Sequence, residues 1–228
     1  MENTVICRDV SKVYRQDTVA VQALVDINLE IPRKDFVCLS GPSGSGKSTL
    51  LNLIGGLDRP TTGEILVDGN RVDRMESGAL AQLRLRRIGF VFQAYNLIPV
   101  LTARENIEFV MQLQGVSGAE RDSKVREIVQ EVGLEGLENR RPGELSGGQQ
   151  QRVAVARAIV SEPSLVLADE PTANLDSKTA ENLMQLLVHM NTEHNVTFVF
   201  STHDKLVMDF SRRLIALRDG RIVDDKRR

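Results

Sequence analysis

The sequence predicts an α/β fold built on a mostly parallel sheet, with an N-terminal antiparallel β lobe and an inserted helical subdomain. Three observations carry that prediction. Segments rich in Val, Ile and Phe alternate with longer helical patterns, the sign of strands joined by crossover helices. Strand-like stretches separated by polar turns crowd the first third of the chain, and the residues from Ala94 to about Arg157 are mainly helical. At 228 residues the chain is read as one domain, with about 1–93 and 158–228 forming the core and β lobe and about 94–157 the helical subdomain.

In chain order, VICRDVSKVY, LVDINLEI and GEILVDGNRV read as short antiparallel strands. The core strands are Phe36 to Ser40, Ile88 to Phe92, Leu165 to Asp169, Val196 to Ser201 and Arg213 to Leu217, with helices between them. Val125, Ile128, Val129 and Val132 recur at helical spacing, as do Leu183, Leu186, Leu187 and Met190, and both sets read as core packing.

The net charge of −2 gives no bias toward nucleic acid. The basic runs LRLRR (Leu83 to Arg87) and DKRR read as a solvated face and a tail. No apolar run approaches the roughly 20 residues of a membrane span. MENTVICRDV lacks the features of a secretion signal. Cys7 and Cys38 sit in apolar segments without metal-ligand spacing and read as buried hydrophobes in a reducing compartment. The cytoplasm is the expected location.

Strand FVCLS runs into GPSGSGKS (Gly41 to Ser48) and then a helix, TLLNLIGGL. This is G-x-x-x-x-G-K-[ST] in its strand, loop, helix context, so a P-loop NTPase core is expected. In Gly41, Pro42, Ser43, Gly44, Ser45, Gly46, Lys47, Ser48 and Thr49 the glycines let backbone N–H groups converge on phosphate, aided by the helix N-terminus. Lys47 is placed to reach the β- and γ-phosphates and Ser48 to offer a hydroxyl to Mg²⁺.

The buried strand LVLADE ends in two carboxylates. Asp169 is placed to hold Mg²⁺, and Glu170 to polarise an attacking water, the arrangement of a hydrolase. Gln93 ends GFVFQ and His203 follows TFVFST, so both project toward the same carboxyl edge of the sheet. Gln93 suits Mg²⁺ or the lytic water, and His203 suits the γ-phosphate. His189 and His194 receive no role.

A second glycine loop, LSGGQ, opens the helix QQQRVAVARAIV, which must stop before Pro163. Ser146 suits an N-cap, but a cap leaves Gly147 and Gly148 unexplained, and an anion close to the backbone would account for them. No Lys follows, so this loop is half of a site.

GPSGSGKST, Gln93, LSGGQQQ, LVLADE, ANLD and His203, in this order, resemble the ATP-binding subunits of ABC transporters. The resemblance implies a homodimer holding two ATP between facing copies, with Ser146, Gly147, Gly148 and Gln149 meeting the nucleotide bound by the other copy. It implies that Tyr14 stacks on adenine and that Ala173 to Asp176 line the dimer seam, where ANLD replaces the usual SALD. It also implies a partner permease, a peripheral place on the cytoplasmic side of the inner membrane, and no nucleic acid.

The partner's helix is expected to dock around Ala94 to Ile107, where Tyr95, Leu97, Ile98 and Pro99 read as exposed unless they pack internally. LLNLIGGLDRPTTGEILVDG, GFVFQAYNLIPVLTARENI and LADEPTANLDS are similar to the lipoprotein-releasing and macrolide-efflux group, which includes a cell-division ATPase. Importers, and non-transport ABC ATPases acting on cell-wall or division machinery, remain the alternatives. DNA-repair relatives need an insertion for which the interval from Lys47 to Ser146 has no room.

Overall fold

The computed structural model describes residues 2–16 and 19–228. Strands β1 (Asn3–Gln16) and β2 (Val19–Pro32) pair antiparallel and lead into β3 (Phe36–Ser40). Helix α1 (Lys47–Ile54) follows the glycine loop; then come β4 (Thr62–Val67), β5 (Asn70–Arg71), α2 (Ser77–Arg87) and β6 (Ile88–Val91). Helices α3 (Ala103–Leu113), α4 (Gly118–Glu131) and α5 (Gly147–Ile159) occupy the insert. The chain closes with β7 (Leu165–Asp169), α6 (Ser177–Glu193), β8 (Thr197–Thr202), α7 (Lys205–Met208), β9 (Arg213–Arg218) and β10 (Arg221–Arg227).

The central sheet has the order β10-β9-β3-β8-β7-β6, parallel throughout except for β10. Its strands alternate between two cores. Phe36, Cys38, Val166, Ala168, Phe198 and Phe200 face the core shared with α3 to α6. Val37, Leu39, Leu165, Leu167 and Val199 face the core shared with α1 and the β lobe. Apolar residues on both faces are what a parallel strand covered on both sides requires. The periodic residues of α4 and α6 and both cysteines are buried, and burial pushes each thiol up to about 12.

The β lobe departs from expectation. Strands β1 and β2 are 14 residues each, longer than the stretches VICRDVSKVY and LVDINLEI read as short strands. Asp9 and Asp26, at φ 50° and 48°, lie inside them where the β1–β2 register shifts, so these positions are bulges within continuous strands. GEILVDGNRV is a hairpin, since Asp68 and Gly69 both take positive φ, the pair a tight I′-like turn demands.

The basic C-terminus is not a tail. It pairs antiparallel with β9 as β10, pinned by two short hydrogen bonds from Arg213 to Asp225. LRLRR lies in α2, where Leu83 is buried while Arg86 and Arg87 are exposed. Among the described residues no helix is long and apolar enough to cross a membrane.

Candidate functional site

The glycine loop is open where a ligand would enter. Helix α1 begins after Gly46 without a side-chain cap, so its first-turn N–H groups find no partner from a capping side chain. Gly46 has φ 103°, and a Cβ there would meet Leu24 Cδ2 at 2.7 Å and the Ala23 carbonyl at 2.8 Å, so only glycine fits. Lys47 donates back to the carbonyls of Gly41 (2.8 Å) and Pro42 (3.2 Å), holding its ammonium across the loop.

Strand ends close the other wall. Ser48 Oγ donates to Asp169 Oδ1 at 3.0 Å, and Ser201 Oγ donates to the same oxygen at 2.5 Å. Glu170 has φ 46°, a strained value for a side chain of its size, and its N–H is held by Ser201. The turn sends the two carboxylates apart: Asp169 toward Ser48, and Glu170 toward His203 Nδ1 at 2.9 Å. A cavity of about 700 Å³ runs past Tyr14, the loop from Pro42 to Thr49, Gln93, Glu170, Ala173 and His203.

Sequence reasoning missed part of this cavity. Val21, Gln22 and Ala23 of β2 line it, and Ser201 ties the Asp169 carboxylate and the Glu170 N–H to β8. The signal for Ser201 was a serine ending the apolar run TFVF on the strand that leads to His203.

Ser146, Gly147, Gly148, Gln149 and Asp176 do not line the cavity. Ser146 caps α5 and forms a capping box with Gln149: the Gln149 N–H donates to Ser146 Oγ, and the Ser146 N–H donates to Gln149 Oε1 at 2.8 Å. The glycines have neighbours of their own. A Cβ on Gly147 would sit 2.9 Å from the Tyr95 hydroxyl, and one on Gly148 would sit 2.6 Å from Thr179 Cγ2. Intrachain packing therefore favours small residues at both positions, a reason that stands beside the anion expected from the sequence. Asp176 caps α6, and hydrogen bonds from the Thr179 hydroxyl and N–H hold its carboxyl below its ordinary value.

The segment after Gln93 is more buried than expected. Tyr95, Leu97 and Ile98 are half-buried, and Leu97 packs on the core, leaving Pro99 and Val100 exposed. Tyr95 and Asn96, both at positive φ, aim their carbonyls at the guanidinium of Arg157, at 2.9 and 2.6 Å. Burial lowers Arg157 from its ordinary value. Beside them lies an apolar groove of about 420 Å³ lined by Leu57, Phe90, Ile98, Phe109, Val110 and Leu113.

A parallel sheet whose strand ends face a phosphate-type loop defines a nucleotide-hydrolysing cassette. The comparisons narrow the class: the ABC transporter profile matches residues 24–173, and the chain belongs to that family as an ABC ATPase. It is 48% identical over 220 residues to an uncharacterized ABC transporter ATP-binding protein of Thermotoga maritima, spanning 96% of this chain and 94% of that one. Macrolide export ATP-binding/permease protein MacB of Mannheimia succiniciproducens is 40% identical over 98% of this chain, which spans 34% of MacB. The cassette MJ0796 of Methanocaldococcus jannaschii, solved as a dimer in a post-hydrolysis state with ADP and Pi, is 44% identical, with a TM-score of 0.90 over 98% of both chains.

Proposed function

We propose that this chain is the ATP-hydrolysing subunit of an exporter of the lipoprotein-releasing and macrolide-efflux group, working as a head-to-tail homodimer around two ATP on the cytoplasmic side of the membrane. The observation that carries the dimer is the separation of the two glycine loops. The cavity is walled by Gly44, Lys47, Glu170 and His203, while Ser146 to Gln149 lie outside it at the head of α5. A second copy brings its own Ser146, Gly147, Gly148 and Gln149 to the exposed phosphate, with Asp176 at the seam. The dimeric MJ0796 structures support the arrangement, and MacB supports export.

The assigned chemistry follows from the donor set. Lys47 and the N–H groups from Gly41 to Thr49 bind the phosphates. Ser48, Asp169 and Gln93 offer only oxygens, which suits Mg²⁺, and Ser48 and Asp169 already meet at 3.0 Å. Bound there, Mg²⁺ would neutralise charge between the β- and γ-phosphates. Glu170 polarises the attacking water, and His203, already in contact with Glu170, senses the γ-phosphate. Tyr14 forms the platform for adenine.

The groove beside Ile98 and Leu113 is where a cytoplasmic helix of the permease docks. Hydrolysis removes the γ-phosphate that both copies hold, so the dimer opens and the permease moves to drive lipoprotein, peptide or drug export or other work outside the membrane. Glu170→Gln, which keeps the geometry but removes the base, is expected to give an ATP-dependent dimer on size exclusion. A persistent monomer at saturating ATP would overturn the proposal.

A further inference from the structure

The base end of the cavity contains an arrangement that nucleotide binding as proposed above does not use. Tyr14 lies on β1, and its ring is 41% exposed at the mouth of the cavity. The phenol donates to Asp58 Oδ2 at 2.8 Å, and Asp58 lies just beyond α1, the helix that starts at Lys47. The other carboxylate oxygen, Oδ1, accepts from Lys12 Nζ at 2.7 Å and from the Arg59 N–H at 2.7 Å. Lys12 Nζ also donates to the Arg59 carbonyl and stands 4.7 Å from the centroid of the Tyr14 ring.

These contacts fix the ring in three ways. The hydroxyl is anchored, so rotation of the side chain is restricted. One face is engaged by the ammonium of Lys12, the geometry of a cation–π contact. The remaining face is left for a flat ligand, and the anchor ties it to the helix that carries the phosphate loop. An isolated surface tyrosine would lose its freedom only on binding, whereas this one is ordered beforehand.

Protonation is consistent with the anchor. Burial and the neighbouring Asp58 carboxylate raise the Tyr14 phenol, keeping it a donor. Burial pushes the Asp58 carboxyl up, but hydrogen bonds from Lys12, Tyr14 and the Arg59 N–H outweigh it and hold the group below its ordinary value.

We propose that Asp58 and Lys12 are positioning residues for the nucleotide base: together they preset the Tyr14 ring so that a purine is preferred. The inference rests on the reading of Tyr14 as the base platform.

The test uses the full-length chain with ATP, CTP and inorganic tripolyphosphate, which has phosphates but no base. Tyr14→Phe removes the anchoring hydrogen bond with little change of volume, and Asp58→Ala removes its acceptor. Each is expected to raise KM for ATP about 3- to 10-fold, more than it lowers kcat, the size expected when one side chain must be ordered on binding. The preference for ATP over CTP should narrow, while inhibition by tripolyphosphate stays unchanged. The double variant should be no weaker than Asp58→Ala alone, because the acceptor of the Tyr14 hydroxyl is already gone there.

A parallel loss of tripolyphosphate inhibition would mean that Asp58 merely supports the fold, and would overturn the proposal. Tyr14→Ala separates the two levels. If it leaves KM for ATP unchanged, the platform reading fails and the inference with it. If it weakens ATP while Asp58→Ala and Tyr14→Phe do not, the platform stands and the positioning role is wrong.

Discussion

The two glycine loops, Gly41 to Ser48 and Ser146 to Gln149, are alike in composition and opposite in state. Both open a helix with serine and glycine. The first leaves the N-terminus of α1 without a side-chain cap and keeps its glycines in conformations closed to other residues. The second is capped by Ser146 and Gln149, and its glycines lie close under Tyr95 and Thr179. The capping box engages the N–H groups of Ser146 and Gln149 and neither of those of Gly147 and Gly148, so the second loop is satisfied in part where the first is uncapped. On the function proposed above, those two glycine N–H groups are what a partner's phosphate would meet.

The largest expected effect breaks the first loop. A Cβ at Gly41 would collide with the Leu217 carbonyl, and φ there is 149°. Gly41→Ala should lose about 3 kcal/mol of stability from strain and overlap together, read by denaturant unfolding, and should abolish ATP binding. An alanine variant of normal stability would mean that the loop is far more plastic than its geometry allows.

The second effect separates the two roles of Ser146. Ser146→Ala should cost about 1 kcal/mol through loss of the cap. Ser146→Asp keeps a capping oxygen, so stability should return, yet its charge would face the partner's γ-phosphate and ATP-dependent dimerisation should fail. Stability by thermal melting and dimer formation by light scattering decide it. Recovery of both would leave the loop with a capping role alone.

The smallest effect concerns Gly148. Its replacement by Ala should gain helix propensity and lose packing against Thr179, a net change below about 1 kcal/mol. Adding Thr179→Ser removes the opposing methyl, so the double variant should melt higher than Gly148→Ala alone. Equal melting temperatures would show that the helix start moves aside.

Much of the fold was legible because its central strands are buried on both faces, and such strands are continuous apolar runs: FVCLS, LVLAD and TFVFST. Strand β10 was not legible. Its residues are largely exposed and charged, and what makes it a strand is pairing with β9 and the bridge from Asp225 to Arg213, neither visible in local composition. The bulges at Asp9 and Asp26 were not legible either, since a bulge is a matter of register between β1 and β2.

Within the site, Lys47, Ser48, Asp169 and Glu170 could be read from spacing alone, because chain geometry ties each to its strand or helix end. Ser201 and Arg157 could not, because their roles consist of contacts with residues distant in sequence. The neighbour that crowds Gly147 was equally hidden, since it is the hydroxyl of Tyr95.

Tyr95 also separates two demands that the molecule must meet. Its hydroxyl lies over Gly147 at the start of α5, and its carbonyl is held by Arg157 near the end of the same helix. The wall of the neighbouring groove is made largely by other side chains, among them Leu57, Phe109 and Leu113. On the docking proposed above, that wall is free to vary in shape to suit different permeases without altering the linkage through which force reaches the nucleotide. Choice of partner and transmission of force become interchangeable modules, so one engine can be fitted to many cargoes by repainting a few apolar side chains.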